Sequence, residues 1–276
     1  MTPAGAQPIF CRGKAGCGAR ELPRMKLLFC GDPHGQIQFA VDGAIQSGAD
    51  VLVLLGDIEP VCPLHVLVEP ILASAIKVLW IPGNHDADSD EMWFRVWGSD
   101  LAHANLHARV EELMDGTRIA GLGGVFREEV WHPTGASARR GEPAFLSPSA
   151  HADATPRQHR WRGTGPHRKH WGTIYPDQLN SLSDQRADIL VTHEAPGYHP
   201  HGFDLLDDLA RAMGAKVVIH GHHHDAIDSS ARWHKQGFRS YGVGLRGLSL
   251  LDTATWSWSV VKAGDRDMER VDRRHW

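Results

Sequence analysis

Short apolar runs separated by stretches of helical spacing organise this chain. Lys26 to Cys30, Val51 to Leu55 and Lys77 to Ile81 are brief, rich in Val, Ile and Leu, and stop at Gly or Pro-Gly. That is the pattern of strands buried on both faces. Phe39 to Ser47 has helical spacing between the first two runs, and a segment around Val66 to Ala75 has it before the third. Strand, helix, strand repeated in this way predicts an α/β fold with right-handed crossovers. Further strands are expected at Arg118 to Ala120 and Ile189 to Thr192, and a helix from Leu205 to Met213 leads into a strand at Lys216 to His220. After Arg239 the alternation of Tyr241, Val243 and Leu245, then Leu248 to Leu251 and Trp256 to Val260, predicts a closing β-hairpin.

The pattern lapses in three places. Residues 1–24 are rich in Gly, Ala and Pro without apolar periodicity, and read as a disordered leader or an extension upstream of a start at Met25. Residues at about 127–171 lose periodicity to Pro, Gly, Ser, Arg and His. From Trp131 on, this insertion carries Arg139, Arg140, Arg157, Arg160, Arg162, Arg168 and Lys169 against Glu142 and Asp153. A loop of that length is either functional, for instance as a lid over a crevice, or disordered. Residues 263–276 read as a C-terminal tail, which leaves a single domain over 25–262.

Composition narrows the function classes. No apolar run of the 276 residues approaches the roughly 20 needed to cross a bilayer, so a soluble, non-membrane protein is expected. A net charge of -4 gives no general affinity for nucleic acid. Cys11, Cys17, Cys30 and Cys62 form neither CxxC pairs nor a disulfide framework, which fits a reducing cytoplasm; Cys11 and Cys17 as a metal pair is the weaker reading. The 19 histidines matter more, because several stand beside Asp, Gly or another His.

Each strand-like run ends in a polar cluster. Asp32-Pro33-His34-Gly35 follows the first, Gly56-Asp57 the second and Gly83-Asn84-His85-Asp86 the third; later strands end at His193-Glu194 and His220-Gly221-His222-His223-His224. In an open α/β sheet the carboxyl ends of the strands converge on one crevice, so these five clusters should meet. Taken singly, each is an ordinary turn or cap sequence. Their conjunction is not, since several buried Asp and His without cations would leave costly unpaired groups. Carboxylate and amide oxygens with imidazole nitrogens suit Mn, Fe, Zn or Ni, and two such ions need an anion between them, for which Asp57 is placed.

In order, the clusters read GD-x-H-G, GD, GNHD, H and GH-x-H, and over Lys26 to Asp225, the insertion apart, the chain resembles the calcineurin-like metallophosphoesterases. The resemblance implies a four-layer β-sandwich of mixed sheets flanked by helices, with a metal site at the carboxyl ends of the strands. It implies one ion on Asp32, His34, Asp57 and His224 and a second on Asp57, Asn84, His193 and His222, manganese first among the candidates. Such a pair would polarise a phosphoester and acidify a bridging water for attack on phosphorus. His85, next to Asn84 and free to titrate, is the expected general acid, oriented by Asp86.

Protein phosphatases of the family carry GD-x-V-D-R-G, whereas this chain has Gly56-Asp57-Ile58-Glu59-Pro60-Val61-Cys62. Phosphate must therefore be gripped by other residues, with Arg127, Arg246 or an insertion Arg as candidates. The substrate expected is a small-molecule or nucleotide phosphate mono- or diester. A nuclease using the basic insertion, with Trp131, Trp161 and Trp171 stacking on bases, is the competing reading; a non-catalytic metal-binding module ranks last, since no ligand is missing. Glu194 and His223 are expected behind the ligands, and His199 and His201 in a solvated loop.

Overall fold

The structure, a computed structural model, describes residues 24–133 and 142–267. The leader, with Cys11 and Cys17, lies outside the described residues apart from Arg24, as do Arg139, Arg140 and the tail beyond Asp267.

The first half runs β1 (Lys26–Cys30), α1 (Gln38–Ser47), β2 (Val51–Leu54), α2 (Leu64–Leu67), α3 (Glu69–Ala73), β3 (Lys77–Trp80), α4 (Asp90–Trp97), β4 (Arg109–Glu112) and β5 (Arg118–Leu122). The second half adds α5 (Pro148–Ala154), α6 (Pro176–Ser183), β6 (Ile189–Thr192), α7 (Asp204–Met213), β7 (Val217–His220), α8 (Trp233–Gln236), β8 (Arg239–Gly242), β9 (Leu248–Asp252) and β10 (Ser257–Lys262). Where the sequence carries one helical segment near Val66, the chain forms two short helices broken at Val68.

Among the described residues, ten strands make two five-stranded mixed sheets, ordered β10-β9-β1-β2-β3 and β4-β5-β6-β7-β8. Within them β1, β2 and β3 run parallel, as do β5 through β8, while β9, β10 and β4 pair antiparallel at the other side. Side-chain alternation assigns the layers. Leu27, Phe29, Val51, Val53 and Leu79 of the first sheet meet Ile119, Ile189, Val191, Val217 and Ile219 of the second. Their neighbours Leu28, Leu52, Leu54 and Trp80 face α1 through α4 on the outside. Ala120, Leu122, Leu190 and Val218 face α6 and α7. Helix, sheet, sheet and helix layers result, and the continuous apolar strands follow from both faces being covered.

The expected closing hairpin is β9–β10, but the Tyr241 run is not part of it. It forms β8, parallel to β7 at the edge of the second sheet, and the chain then crosses to the first sheet through Gly244 and a left-handed Arg246 (φ 52°). Several elements carried no signal, β4 and α4 among them. β4 has the charged sequence RVEE, suited to an exposed edge; α4 is capped by Ser89, whose hydroxyl accepts the Met92 N–H at 3.1 Å.

From residue 142 the insertion forms one short helix and several 3-10 turns. Its helix α5 is capped by the Ser147 hydroxyl, which accepts the Ala150 N–H. Trp161 and Trp171 pack edge-on against Trp93 of α4, with centroids at 5.6 and 5.0 Å. Among the described residues no helix is long and apolar enough to cross a membrane.

Candidate metal centre

The carboxyl ends of β1, β2 and β3 from one sheet and of β6 and β7 from the other bring all five polar clusters to one place. The turns that do this are tight: five of the seven candidate ligands, Asp32, His34, Asp57, His222 and His224, have positive φ between 40° and 69°. Non-glycine residues hold that conformation only where the surroundings impose it, and such strain concentrates at functional sites. Gly83 is required for another reason, because a Cβ there would run into the backbone and carboxylate of Asp57.

Two groups of ligand atoms form around Asp57. His34, Asp57 and His224 place one atom each within 4.8 Å of one another, and so do Asp57, His193 and His222. In the first group the Nε2 atoms of His34 and His224 are 3.0 Å apart. His34 Nδ1 lies 2.5 Å from Glu59 Oε1, so its proton is assigned to Nδ1 and the Nε2 lone pair points at the cluster. In the second, His193 Nδ1 faces the Leu55 carbonyl at 2.8 Å, and a carbonyl only accepts. Its Nε2 is therefore turned to Asn84 Oδ1 at 3.2 Å and Asp57 Oδ2 at 3.6 Å. Ligands held about 2.1 Å from one ion lie roughly 3–4 Å apart, so both groups fit a divalent cation. Asp32 belongs to the cluster but to neither group: its two oxygens accept the His222 N–H at 3.0 and 2.9 Å.

Charge makes the same demand. Burial pushes Asp32 up to about 7, opposed by His193 and reinforced by the charges of Asp57 and Asp86. Burial also works against an ionised Asp57, yet His193 and the His85 N–H hold it well below the usual carboxylate range. Burial opposes a charged His193, but Asp57 and Asp32 raise it to about 10. His222 and His224 go the other way, burial and neighbouring imidazoles lowering them to about 3 and about 4. Buried carboxylates beside imidazoles that burial keeps neutral form a donor set matched to cations.

The orienting partner expected at Asp86 is Asp88 instead. Asp86 is buried and its carboxylate accepts backbone N–H groups of Ile58, Glu59 and Gly83 at 2.7, 3.0 and 2.7 Å, lashing the second and third motifs together. His85 Nδ1 is 2.6 Å from Asp88 Oδ2, which leaves Nε2 outside that bond. Burial lowers the His85 pKa, but the Asp88 bond and nearby carboxylates outweigh it, and the net shift is upward.

The two candidate phosphate grips separate. Arg127 donates from Nη2 to the Asn84 carbonyl at 3.3 Å and so sits beside the third motif. Arg246 does not serve as expected, because its guanidinium is paired with Asp265 at 2.6 Å. Several of the described insertion cations are similarly engaged. Arg168 donates to the Ala87 and Asp88 carbonyls at 2.9 and 2.8 Å and pairs with Asp90, Lys169 pairs with Glu129, and Arg162 lies over Trp93 and Phe94. Trp131 packs on Phe126. The tryptophans are thus packing residues, not free stacking platforms. His199 is also not solvated: it is buried and stacks on His223, while His201 is exposed as expected.

Glu59 and Asp88 escaped the sequence reading. Glu59 stood in plain view as a departure from the phosphatase motif, and Asp88 follows His85 at the i+3 spacing of a turn.

A two-sheet sandwich with such a cluster at its strand ends is the frame of a metallophosphoesterase. The family model for calcineurin-like phosphoesterases matches residues 25–226, and the chain belongs to that family. An uncharacterized protein of Haemophilus influenzae is 36% identical over 223 residues, covering 81% of this chain and 92% of its own. The crystal structure of TT1561 of Thermus thermophilus is similar in fold, with a TM-score of 0.57 at 17% identity over 87% of this chain and 99% of the other.

Proposed function

We propose that this phosphoesterase hydrolyses phosphate mono- or diesters of small molecules or nucleotides with two divalent ions, manganese foremost. Asp32, His34, Asp57 and His224 would hold one, and Asp57, Asn84, His193 and His222 the other. The observation that carries this reading is the pair of nitrogen and oxygen groups on either side of Asp57, His34 with His224 and His193 with Asn84. Asp32, whose two oxygens accept the His222 N–H, would complete the first set.

When bound, the ions supply Lewis-acid polarisation of the phosphoryl oxygens and acidify a water. The chain supplies the rest. His193 and the His85 N–H, which donates to Oδ1 at 2.9 Å, keep Asp57 charged. His85, half exposed and held by Asp88, protonates the leaving oxygen from Nε2. Arg127 is the candidate grip on a non-bridging oxygen, being planar and always charged. The engagement of Arg162, Arg168 and Lys169 within the fold argues against the insertion as a nucleic-acid surface.

The test is turnover of p-nitrophenyl phosphate and bis-p-nitrophenyl phosphate with and without Mn, by wild type and Asp57→Asn. Metal-dependent cleavage abolished in Asp57→Asn is expected, and the preferred ester defines the substrate branch. Tight metal binding without turnover of either ester would overturn the catalytic reading.

A further inference from the structure

Beside the two groups around Asp57 lies a third. Glu194, His222 and His223 also place one ligand atom each within 4.8 Å of one another. We propose that these three residues form a waiting position from which a divalent ion is handed inward to Asp57, Asn84 and His193. This rests on the two-ion reading above.

The geometry suits an ion better than a hydrogen-bond network. Glu194 Oε2 is 3.8 Å from His222 Nε2 and 4.0 Å from His223 Nε2, too far to bond either but close to the span between two ligands of one cation. His223 Nε2 is buried without a hydrogen-bond partner, a state proteins rarely leave unexplained. Surrounding groups hold the three in place. Glu194 Oε1 accepts the Phe126 N–H at 3.2 Å, which fixes the carboxylate. The His199 ring stacks on His223 with centroids 4.0 Å apart. His199 Nδ1 accepts the His201 N–H at 3.1 Å, so its proton sits on Nε2, 3.3 Å from Asp225. His199 is thus a shelf for His223 and not a further ligand.

Two features give direction to the hand-over. His222 is common to the outer and inner groups, and a neutral imidazole has one lone pair, so it holds one ion at a time. Occupation of the two positions is therefore successive. Exposure sets the order: His223 and Glu194, which belong to the outer group alone, are 14% and 6% exposed, against 0% for His193 and 2% for Asp57 of the inner one, and the shared His222 is 28% exposed. An ion arriving from solvent meets the outer group first, and the inner set, richer in oxygen donors and charge, retains it.

The experiment uses metal-free full-length protein and Co(II), whose visible absorption reports coordination. Wild type should bind two Co(II) per chain at equilibrium. His223→Ala and Glu194→Gln should reach the same content but take up the second ion about tenfold or more slowly, in line with the usual cost of losing a group next to a metal site. The isosteric Glu194→Gln guards against misfolding of the other variant. Unchanged uptake rates in both variants, with two ions still bound, would overturn the waiting position while leaving the two-ion reading intact. Three ions at equilibrium would overturn successive occupation, and fewer than two in wild type would instead sink the two-ion reading itself.

Discussion

His34 and His224, 190 residues apart in the chain, face each other through their Nε2 atoms across 3.0 Å. His34 has a carboxylate behind it. Glu59 receives the Nδ1 proton of His34 and thereby fixes which nitrogen points inward. Such partners raise the basicity of a ligating imidazole, and their loss typically weakens metal binding by about 10–100-fold. Glu59→Ala should therefore lower affinity for one of the two ions by that factor and leave the other unchanged, with little effect on folding, since Glu59 is partly exposed. Isothermal titration of metal-free protein with Mn checks this, and equal weakening of both ions would contradict the assignment.

Gly83 precedes Asn84 and tolerates no side chain. A Cβ at this position would collide with the Asp57 carboxylate and its backbone N–H, both inside the cluster. Gly83→Ala should cost catalysis far more than stability, reducing metal-dependent turnover by about 100-fold, as a displacement near 1 Å commonly does. Gly163→Ala is the control, because nothing lies within 4 Å of its Cβ position, although that glycine, unlike Gly83, has positive φ (76°). Similar losses in both would mean that a general effect of the substitution, not displacement of Asp57, is responsible.

His85 and Asp88 should act as a pair. If His85 protonates the leaving oxygen, His85→Ala slows alkyl esters by about 10²–10⁴-fold, the usual worth of a positioned acid. p-Nitrophenyl esters, whose leaving group departs without protonation, should suffer much less. Asp88→Asn keeps the bond to Nδ1 but removes the charge, and should show the same dependence on leaving group in weaker form. A uniform loss across both ester types would assign His85 to binding instead.

The metal cluster was legible in the sequence because its residues follow strands, and strands that end together bring their last residues together. The apolar runs ending at Cys30, Val51 to Leu55 and Lys77 to Ile81 carried that signal, and β1 and β6 were read to the residue. What failed to show were partnerships between turns. Asp86 and Asp88 are both carboxylates near His85, and only folding decides that one lashes backbone amides and the other takes the imidazole. Arg246 looked available until the Asp265 turn folded beside it. Trp161 and Trp171 sit in a segment without periodicity, so nothing local announced that α4 would supply Trp93 as their partner.

The insertion carries its own pH dependence through His170. This imidazole is 6% exposed, and burial, with nearby His151 and Lys169, lowers it to about 3. An unfolded chain would protonate it near its ordinary value of 6.5. The folded state thus binds fewer protons between those values, so the stability His170 contributes is full above about pH 6.5 and declines steadily as the pH falls toward 3. His170→Gln removes the titration but leaves a polar side chain able to reach the Thr173 hydroxyl, which lies 3.3 Å from Nδ1. The variant should melt below wild type at pH 7.5 through lost packing, and the gap should narrow or invert by pH 5. Ligand histidines titrate in both proteins and cancel in the difference, so melting temperatures of the pair measured across this range isolate His170. A gap that stays constant from pH 7.5 to 5 would mean that His170 accepts its proton in the folded state as readily as in the unfolded chain.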